Sequence, residues 1–305
     1  MSASTRTEPT TKTRRRRRRV TYSLSEFLWI APAAAFVIFF TFFAAVFAVR
    51  ISFYDYSLAS VVRPFVGLGN YIQLWNDSAY WHSMGLSFLF AAIDVPLTIL
   101  IGFILALMLN QPLAGRSVFR SALLLPWVIS MVIAGYMLKW IFSDSAGILN
   151  YFLTELGFGR VRWLSTAWGA FSTIAISHAW KAYPFGMVIL LAGLQGIPKD
   201  LYEVAEIDGA NAFQRLINIT IPFLVPQFLI LFILRTLNSF NMVDIIFAMT
   251  QGGPGNATEF VSFYMYQRAF AYLDLGYATA IAVTILVVNI VLALVYLRVL
   301  RSRTT

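Results

Sequence analysis

The chain has 305 residues, of which 59% are hydrophobic and only 12% are charged, with a mean hydropathy of +0.72. A soluble domain carries about 25% charged residues, so this composition excludes an ordinary soluble protein. With no cysteine and two histidines, the chain has no disulfide and no thiolate nucleophile, and we expect neither a metal site nor a catalytic residue.

The chain begins with a basic segment, residues 1–25, which contains eight of the 23 Lys and Arg residues. Next to a membrane span, such a cluster is typical of a cytoplasmic terminus. The Thr, Ser and Arg content predicts disorder. Arginine runs such as 14–19 also bind nucleic acid or anionic lipid. We expect no nucleic-acid partner, and retention of activity after deletion of residues 1–19 would remove that alternative.

Six apolar stretches follow, each near the ~20 residues with which a helix crosses a bilayer. They lack the two-residue alternation of a membrane barrel. In lipid the backbone must satisfy its own hydrogen bonds, which favours helices. We therefore predict an all-α, six-span membrane domain over residues 26–300, followed by a short tail at 301–305. The predicted spans cover residues 27–49, 84–109, 118–142, 167–194, 223–249 and 277–299.

The distribution of positive charge orients these spans. Fifteen of the 23 basic residues fall in the two termini and in the segments after the second and fourth spans. The positive-inside rule therefore predicts that both termini and the loop at 197–222 are cytoplasmic. The outer loops are short, and the residues Gln251–Gly255 form a predicted turn.

The loop at 197–222 is polar, although apolar spans flank it on both sides. A short helix is predicted to start near Pro198 and Asp200, with Leu201, Val204, Ala205 and Ile207 on its apolar face. Asp208 and Gly209 are a predicted turn in which glycine adopts a positive φ. A second helical piece at 211–218 is predicted to lead into Pro222.

This loop resembles the EAA loop of ABC-importer permeases, the cytoplasmic segment that docks on the ATPase subunit. The residues that match, and to which the resemblance assigns ATPase coupling, are Glu203, Val204, Ala205, Asp208, Gly209, Ile219 and Pro222. Val204 stands where the family usually has alanine. Further matches to the carbohydrate-uptake branch, of the first-permease type in maltose-like systems, are residues 65–71, 119–130, 180–185, 190–198 and 243–254.

The resemblance implies a permease subunit of a prokaryotic inner membrane that has no ATPase activity and binds no cofactor itself. Two partner ATPase subunits would bind ATP and Mg²⁺. A second permease, homologous but a different chain, would complete the pathway. An extracytoplasmic solute-binding protein would deliver a sugar or an oligosaccharide.

Polar residues inside the spans are the candidate site. A charge at the bilayer centre costs at least ~2.5–3.5 kcal/mol, so it faces protein or water. Four such charges are predicted, and they either pair between spans or line the pathway: Asp94, Lys181, Arg235 and Asp244. Amides, hydroxyls and aromatic faces bind sugars. The fourth and fifth spans contain such residues in the regions that are similar to the sugar site of maltose-type relatives. The candidate pathway residues there, which include one methionine, are Trp180, Tyr183, Asn238, Ser239, Asn241 and Met242.

Two other readings stay open. The first is a permease for another solute, such as a glycerol phosphate, an amino acid or a sulfonated sugar. An anionic substrate would make Lys181 and Arg235 stronger site candidates. A secondary transporter would instead use Asp94 or Asp244 and would transport without partner subunits.

Overall fold

The computed structural model describes residues 24–112 and 114–301, with side chains for residues 29–112 and 114–299. These residues are all-helical, with two isolated bridges and no strand among them. The arginine run at 14–19 and the end of the chain at 302–305 lie outside the described residues. The predictions made for both tails therefore stay predictions.

The chain divides into two compact units, Met1–Phe47 and Ala48–Thr305. The described residues of the first unit belong to helix α1, Leu24–Ile51, whose stretch Trp29–Ile51 is apolar enough to span a membrane. Phe39, Phe43 and Phe47 stack at four-residue spacing, with ring centroids 5.6 and 5.9 Å apart. Such pairs stabilise one face of a helix. The predicted first span, 27–49, agrees with this helix.

The second unit contains the remaining helices. They are α2 (Gly69–Asn76), α3 (Ser78–Asn110), α4 (Arg116–Val128), α5 (Met131–Ile141), α6 (Ile148–Glu155), α7 (Ala167–Gln195), α8 (Lys199–Ile207), α9 (Ala212–Arg215), α10 (Ile221–Phe240), α11 (Asp244–Met249), α12 (Val261–Tyr266) and α13 (Leu275–Arg301). Five helices of the described chain are long and apolar enough to cross a membrane, or six when the bent pair α4–α5 counts as one span.

Helix α3 is longer than the predicted second span, because it begins at Ser78 rather than at residue 84. The Asp77 carboxylate accepts hydrogen bonds from the amides of Ala79 and Tyr80 and so caps the first turn. The polar first turns concealed this start from a prediction based on hydropathy. The helix passes through Pro96 without a break.

The third span was predicted as one helix over 118–142, and this is wrong. Helices α4 and α5 meet at an angle of 97°. Ile129 and Ser130, which join them, have extended backbone conformations. Pro126 lies three residues before the join, and its ring removes one backbone donor from the last turn of α4.

The fifth span was predicted as one helix over 223–249, and this is also wrong. Helix α10 ends at Phe240, and α11 begins at Asp244. The side-chain amides of Asn238 and Asn241 donate to the carbonyls of Leu234 and Leu237. Such local bonds compete with the helical backbone pattern. The second helical piece predicted at 211–218 is confirmed: α9 and the π-helical turn Leu216–Thr220 run as one helix into α10.

Two apolar clusters hold the second unit together. The first joins α3, α7, α10 and α13 through buried residues such as Leu190, Leu224 and Ile281. The second joins α5, α7, α11 and α12 through residues such as Phe171 and Ile245. Both clusters include residues of α3 and α7, so these two helices form the centre of the unit.

Candidate functional site

A polar cluster lies where α3, α7 and α10 meet. Its centre is Asp94 of α3, which is fully buried. Each carboxylate oxygen has two hydrogen-bonding contacts. The Oδ1 atom is 2.8 Å from His178 Nδ1 and 3.4 Å from Thr98 Oγ1, and Oδ2 is 2.8 Å from Ser239 Oγ and 3.3 Å from Arg235 Nη2. The cluster therefore links three helices through one carboxylate.

Asp94 and Arg235 form an ion pair in this cluster. The sequence predicted four charged residues inside the spans but did not determine which of them pair. His178 is a member that sequence reasoning missed, although its position inside a predicted span was a signal. A histidine in an apolar span needs a polar partner, and here that partner is Asp94. Among the described residues no group of three or more His, Asp or Glu side chains is arranged to hold a metal ion.

The other two predicted intramembrane charges lie apart from this cluster. Lys181 of α7 is buried and donates to the backbone carbonyl of Trp127, near the end of α4, at 2.8 Å. Asp244 was predicted inside a span, but it lies in the first turn of α11 after the break and is exposed. It borders a cavity of about 300 Å³ whose lining includes the rings of Tyr266 and Phe270.

Asn238 and Asn241 form an exposed polar face at the end of α10. Their Nδ2 atoms donate to backbone carbonyls one turn back, at 2.8 and 2.7 Å. Within the described residues, neither amide oxygen accepts a hydrogen bond. Both oxygens are therefore available as acceptors, which is the property that binding a hydroxylated solute requires.

The remaining predicted pathway residues are less accessible. Trp180 is half-buried, whereas Tyr183 and Met242 are buried. The backbone carbonyl of Met242 accepts a hydrogen bond from the Ser262 hydroxyl at 2.6 Å. Ser239 is also buried, and its hydroxyl is committed to Asp94. The structure thus separates an exposed amide face from the residues packed behind it.

A second polar cluster surrounds Asp77 at the start of α3. Its carboxylate accepts hydrogen bonds from the hydroxyls of Tyr264 and Tyr277, and Arg268 Nη2 lies 3.7 Å away. Burial acts to raise the pKa of Asp77, but these hydrogen bonds outweigh it and the pKa is lowered. Burial and the hydrogen bond to Asp77 raise the pKa of Tyr264 to about 12. The cluster thus ties α3 to α12 and α13.

The segment between α7 and α10, residues 197–222, is here called the coupling segment. As predicted, a helix (α8) starts after Pro198 and carries Asp200 in its first turn. No residue of α8 is fully buried. Its apolar side chains Val204 and Ile207 are 57% and 86% exposed.

The α8 helix ends as the sequence predicted. Gly209 has φ +79° and follows the last turn, and the amide of Ala210 bonds back to the Ala205 carbonyl at 2.8 Å. Of the other matched residues, Glu203, Asp208 and Pro222 are exposed, Val204 is exposed as noted, and Ala205 and Ile219 are half-buried.

Two contacts within the coupling segment join α8 to the helical turns that precede α10. The Tyr202 hydroxyl lies 2.9 Å from Thr220 Oγ1, which connects α8 to the π-helical turn before α10. Arg215 forms an exposed ion pair with Glu206 at 2.9 Å. Ile219 packs against the apolar cluster of α3, α7, α10 and α13. These contacts connect α8 to the start of α10.

Comparison with known proteins identifies relatives along most of the chain. Residues 98–304 match a family described as "Binding-protein-dependent transport system inner membrane component". The chain is 35% identical to a sulfoquinovosyl glycerol transport system permease of Agrobacterium fabrum, over 90% of each chain. It is 41% identical to the trehalose/maltose transport system permease MalF of Thermococcus litoralis, over 79% of this chain and 81% of that relative.

The fold is similar to that of a solved protein. A chain from the crystal structure of a bacterial ABC transporter that imports the acidic polysaccharide alginate matches with a TM-score of 0.78. The match covers 92% of this chain and 96% of that one. At 23% sequence identity it is a likeness of fold alone.

Proposed function

The chain belongs to the family of binding-protein-dependent transport system inner membrane components, and from this membership we propose that it forms half of the pathway through which an ATP-driven importer moves a sugar or an oligosaccharide. It is an integral, multi-pass protein of the inner membrane. Members of the family work with an ATPase and a solute-binding protein, and ATP hydrolysis belongs to the partner subunits. Relatives named as sugar permeases support the substrate class.

In the proposed topology the bent pair α4–α5 is one of six spans, and both termini are cytoplasmic. The coupling segment then faces the cytoplasm, where ATP is available. The loops before α3, α7 and α13 face outward, on the side from which the solute-binding protein delivers the solute. A second, homologous permease completes the pathway, and two ATPase subunits hold ATP and Mg²⁺.

The observation that carries the proposal is the exposure of α8. A helix between two spans that exposes Val204 and Ile207, and buries none of its residues fully, offers a surface that a protein partner would cover. Glu203 and Asp208, also exposed, would meet polar or basic groups of that partner. ATP-driven closure of the ATPase pair would displace α8 and, through Tyr202 and Thr220, the start of α10.

The buried cations already have partners within the chain. Arg235 contacts Asp94, and Lys181 donates to the Trp127 carbonyl. The described structure therefore gives both cations a role that involves no solute. By contrast, the amide oxygens of Asn238 and Asn241 are free to accept hydrogen bonds from sugar hydroxyls within the described structure.

Crosslinking tests the coupling role, since the chain has no cysteine of its own. Ile207→Cys in α8 and Leu156→Cys after α6 place single thiols at positions that are 86% and 72% exposed. In the complete importer we expect Ile207→Cys, and not Leu156→Cys, to crosslink to the ATPase subunit. A crosslink to the ATPase from position 156 instead would show that the proposed orientation is inverted. Uptake of sugar by proteoliposomes that contain ATP and the solute-binding protein tests the transport activity itself.

A further inference from the structure

The Asp94 carboxylate holds the end of α10 at two places. Ser239 and Arg235 are four residues apart, so they lie on the same face of the helix, and both contact Oδ2. Helix α10 ends one residue after Ser239, at Phe240. Terminal turns fray unless side chains or packing hold them. Asp94 therefore acts on the last turn of α10, which the buried ring of Phe240 also anchors.

The amide face is part of this same turn. Asn238 lies between Arg235 and Ser239 in sequence, and Asn241 is the residue at which the helix stops. Arg235 and Ser239 are buried against α3, whereas both asparagines are exposed. If this turn rotated about the helix axis, the Ser239 hydroxyl would move away from Asp94. The amides of Asn238 and Asn241 would rotate by the same angle.

His178 of α7 also contacts the Asp94 carboxylate. The Nδ1 atom of His178 is 2.8 Å from Asp94 Oδ1 and 3.2 Å from Arg235 Nη2. A guanidinium only donates hydrogen bonds, and an ionised carboxylate only accepts them. Nδ1 therefore donates to Asp94 Oδ1, and its approach to Arg235 Nη2 brings two donors together without a hydrogen bond between them. The carboxylate is thus oriented from α7 as well as from α10.

Packing alone does not require this cluster. Apolar contacts already join α10 to α3, as in the ring pairs Phe103–Phe228 and Phe88–Phe240, with centroids 5.4 and 5.1 Å apart. Replacing a buried ion pair by apolar residues is often neutral or stabilising. Hydrogen bonds, unlike apolar contacts, depend on direction. Hydrogen bonds to the residues that carry a binding group therefore fix the orientation of that group.

We infer that Asp94 is a positioning residue for solute binding: through Ser239 and Arg235 it fixes the last turn of α10, and so the direction in which Asn238 and Asn241 present their amides. The inference rests on the proposed function, because it assigns those amides to the solute pathway. Asp94 itself, being fully buried, does not touch the solute.

The test compares two hydroxyl deletions in the same helix. Ser239→Ala removes a hydrogen bond to Asp94, whereas Thr236→Val removes one to Tyr296 of α13, at 3.1 Å. In proteoliposomes with the complete importer, we expect Ser239→Ala to raise the KM for sugar uptake about tenfold, as for the loss of one charge-assisted hydrogen bond, with the maximal rate reduced less than about twofold. We expect Thr236→Val to leave KM unchanged. An unchanged KM in Ser239→Ala, or a loss confined to the maximal rate in both variants, overturns the inference.

The single variant Asp94→Asn leaves the buried guanidinium of Arg235 without its counter-ion, which strongly destabilises the fold. The double variant Asp94→Asn with Arg235→Gln removes both charges at similar volume. We expect it to assemble with its partners and to show the same rise in KM. Normal KM in an assembled double variant contradicts the positioning role.

A second readout does not depend on transport. The chain has no cysteine, so a spin label attached to the thiol of Asn241→Cys reports on that position alone. We expect its mobility to increase when Ser239→Ala is added and to stay the same when Thr236→Val is added. Equal mobility in the two backgrounds overturns the positioning role even if no sugar is transported. Failure of the unaltered importer to transport any sugar would instead reject the proposed function.

Discussion

Gly102 of α3 lies directly against the backbone of Met187 in α7. A Cβ atom on Gly102 would be 3.0 Å from the Met187 nitrogen and 3.2 Å from the Tyr183 carbonyl oxygen. These atoms are backbone, so they cannot move aside as a side chain can. The contact sets the separation of the two helices that form the centre of the second unit.

We therefore predict that Gly102→Ala destabilises the protein by about 1–3 kcal/mol, the usual effect of overpacking. Gly85 is the matched control, since it lies in the same helix and a Cβ there meets nothing within 4 Å. Gly85→Ala should be neutral or stabilising by up to about 1 kcal/mol, because alanine favours the helix. Thermal unfolding in detergent measures both, and equal melting temperatures would contradict the close contact.

Gly209 provides a test of the coupling segment. Its φ of +79° strains a β-branched residue by about 1–2 kcal/mol, although no atom lies near its Cβ position. We predict that Gly209→Val abolishes ATP-driven uptake while the protein still inserts into the membrane, because α8 no longer ends in the geometry that seats it on the ATPase.

Gly157, after α6, is the control for this variant. It has φ +83° and equally open surroundings, so valine there introduces the same strain outside the coupling segment. We expect Gly157→Val to retain uptake. Normal uptake by Gly209→Val, or an equal loss in both variants, would count against the coupling role.

The amide face predicts a change in solute affinity. Asn238→Ala and Asn241→Ala should each raise the KM for uptake about three- to tenfold, the effect of losing one hydrogen bond. Asn76 is a matched control, since its amide also bonds back one turn, to the Ile72 carbonyl, on an exposed helix. Asn76→Ala should leave KM as it is. A KM unaffected by both α10 variants would remove these residues from the solute pathway.

Tyr264 predicts a loss of stability in alkaline solution. Its pKa is raised from 10.0 to about 12 in the folded protein, so the folded state holds this proton more tightly than the unfolded state. The stabilisation is complete below pH 10 and is lost as pH rises from 10 through about 12.

We expect the melting temperature of the unaltered protein to fall more steeply over this range than that of Tyr264→Phe, which lacks the titrating hydroxyl. Phenylalanine also removes the hydrogen bond to Asp77, so the variant should start from a lower value. Tyr272→Phe, at an exposed ring beside Arg268, serves as the control and should follow the unaltered protein. Parallel curves for Tyr264→Phe and the unaltered protein would contradict this role.

The sequence alone predicts structural features that depend on residues close together along the chain. The apolar length of each stretch predicts the helices, and the pair Asp208–Gly209 predicts where α8 ends. Both are local: one follows from the hydropathy of consecutive residues, the other from the freedom of glycine to adopt positive φ. The resemblance of the coupling segment to a family also depends only on residue spacing, and the family match agrees with it.

What the tertiary structure decided is which distant groups meet and where apolar stretches break. Hydropathy does not separate α10 from α11, since the residues after the break are as apolar as those before it; the turned-back amides of Asn238 and Asn241 mark the end. Asp94 and His178 are 84 residues apart, and Asp94 and Ser239 are 145 apart. The sequence shows that a buried carboxylate needs partners, because an unpaired charge in the membrane is too costly, but only the packing of α3, α7 and α10 determines which side chains they are.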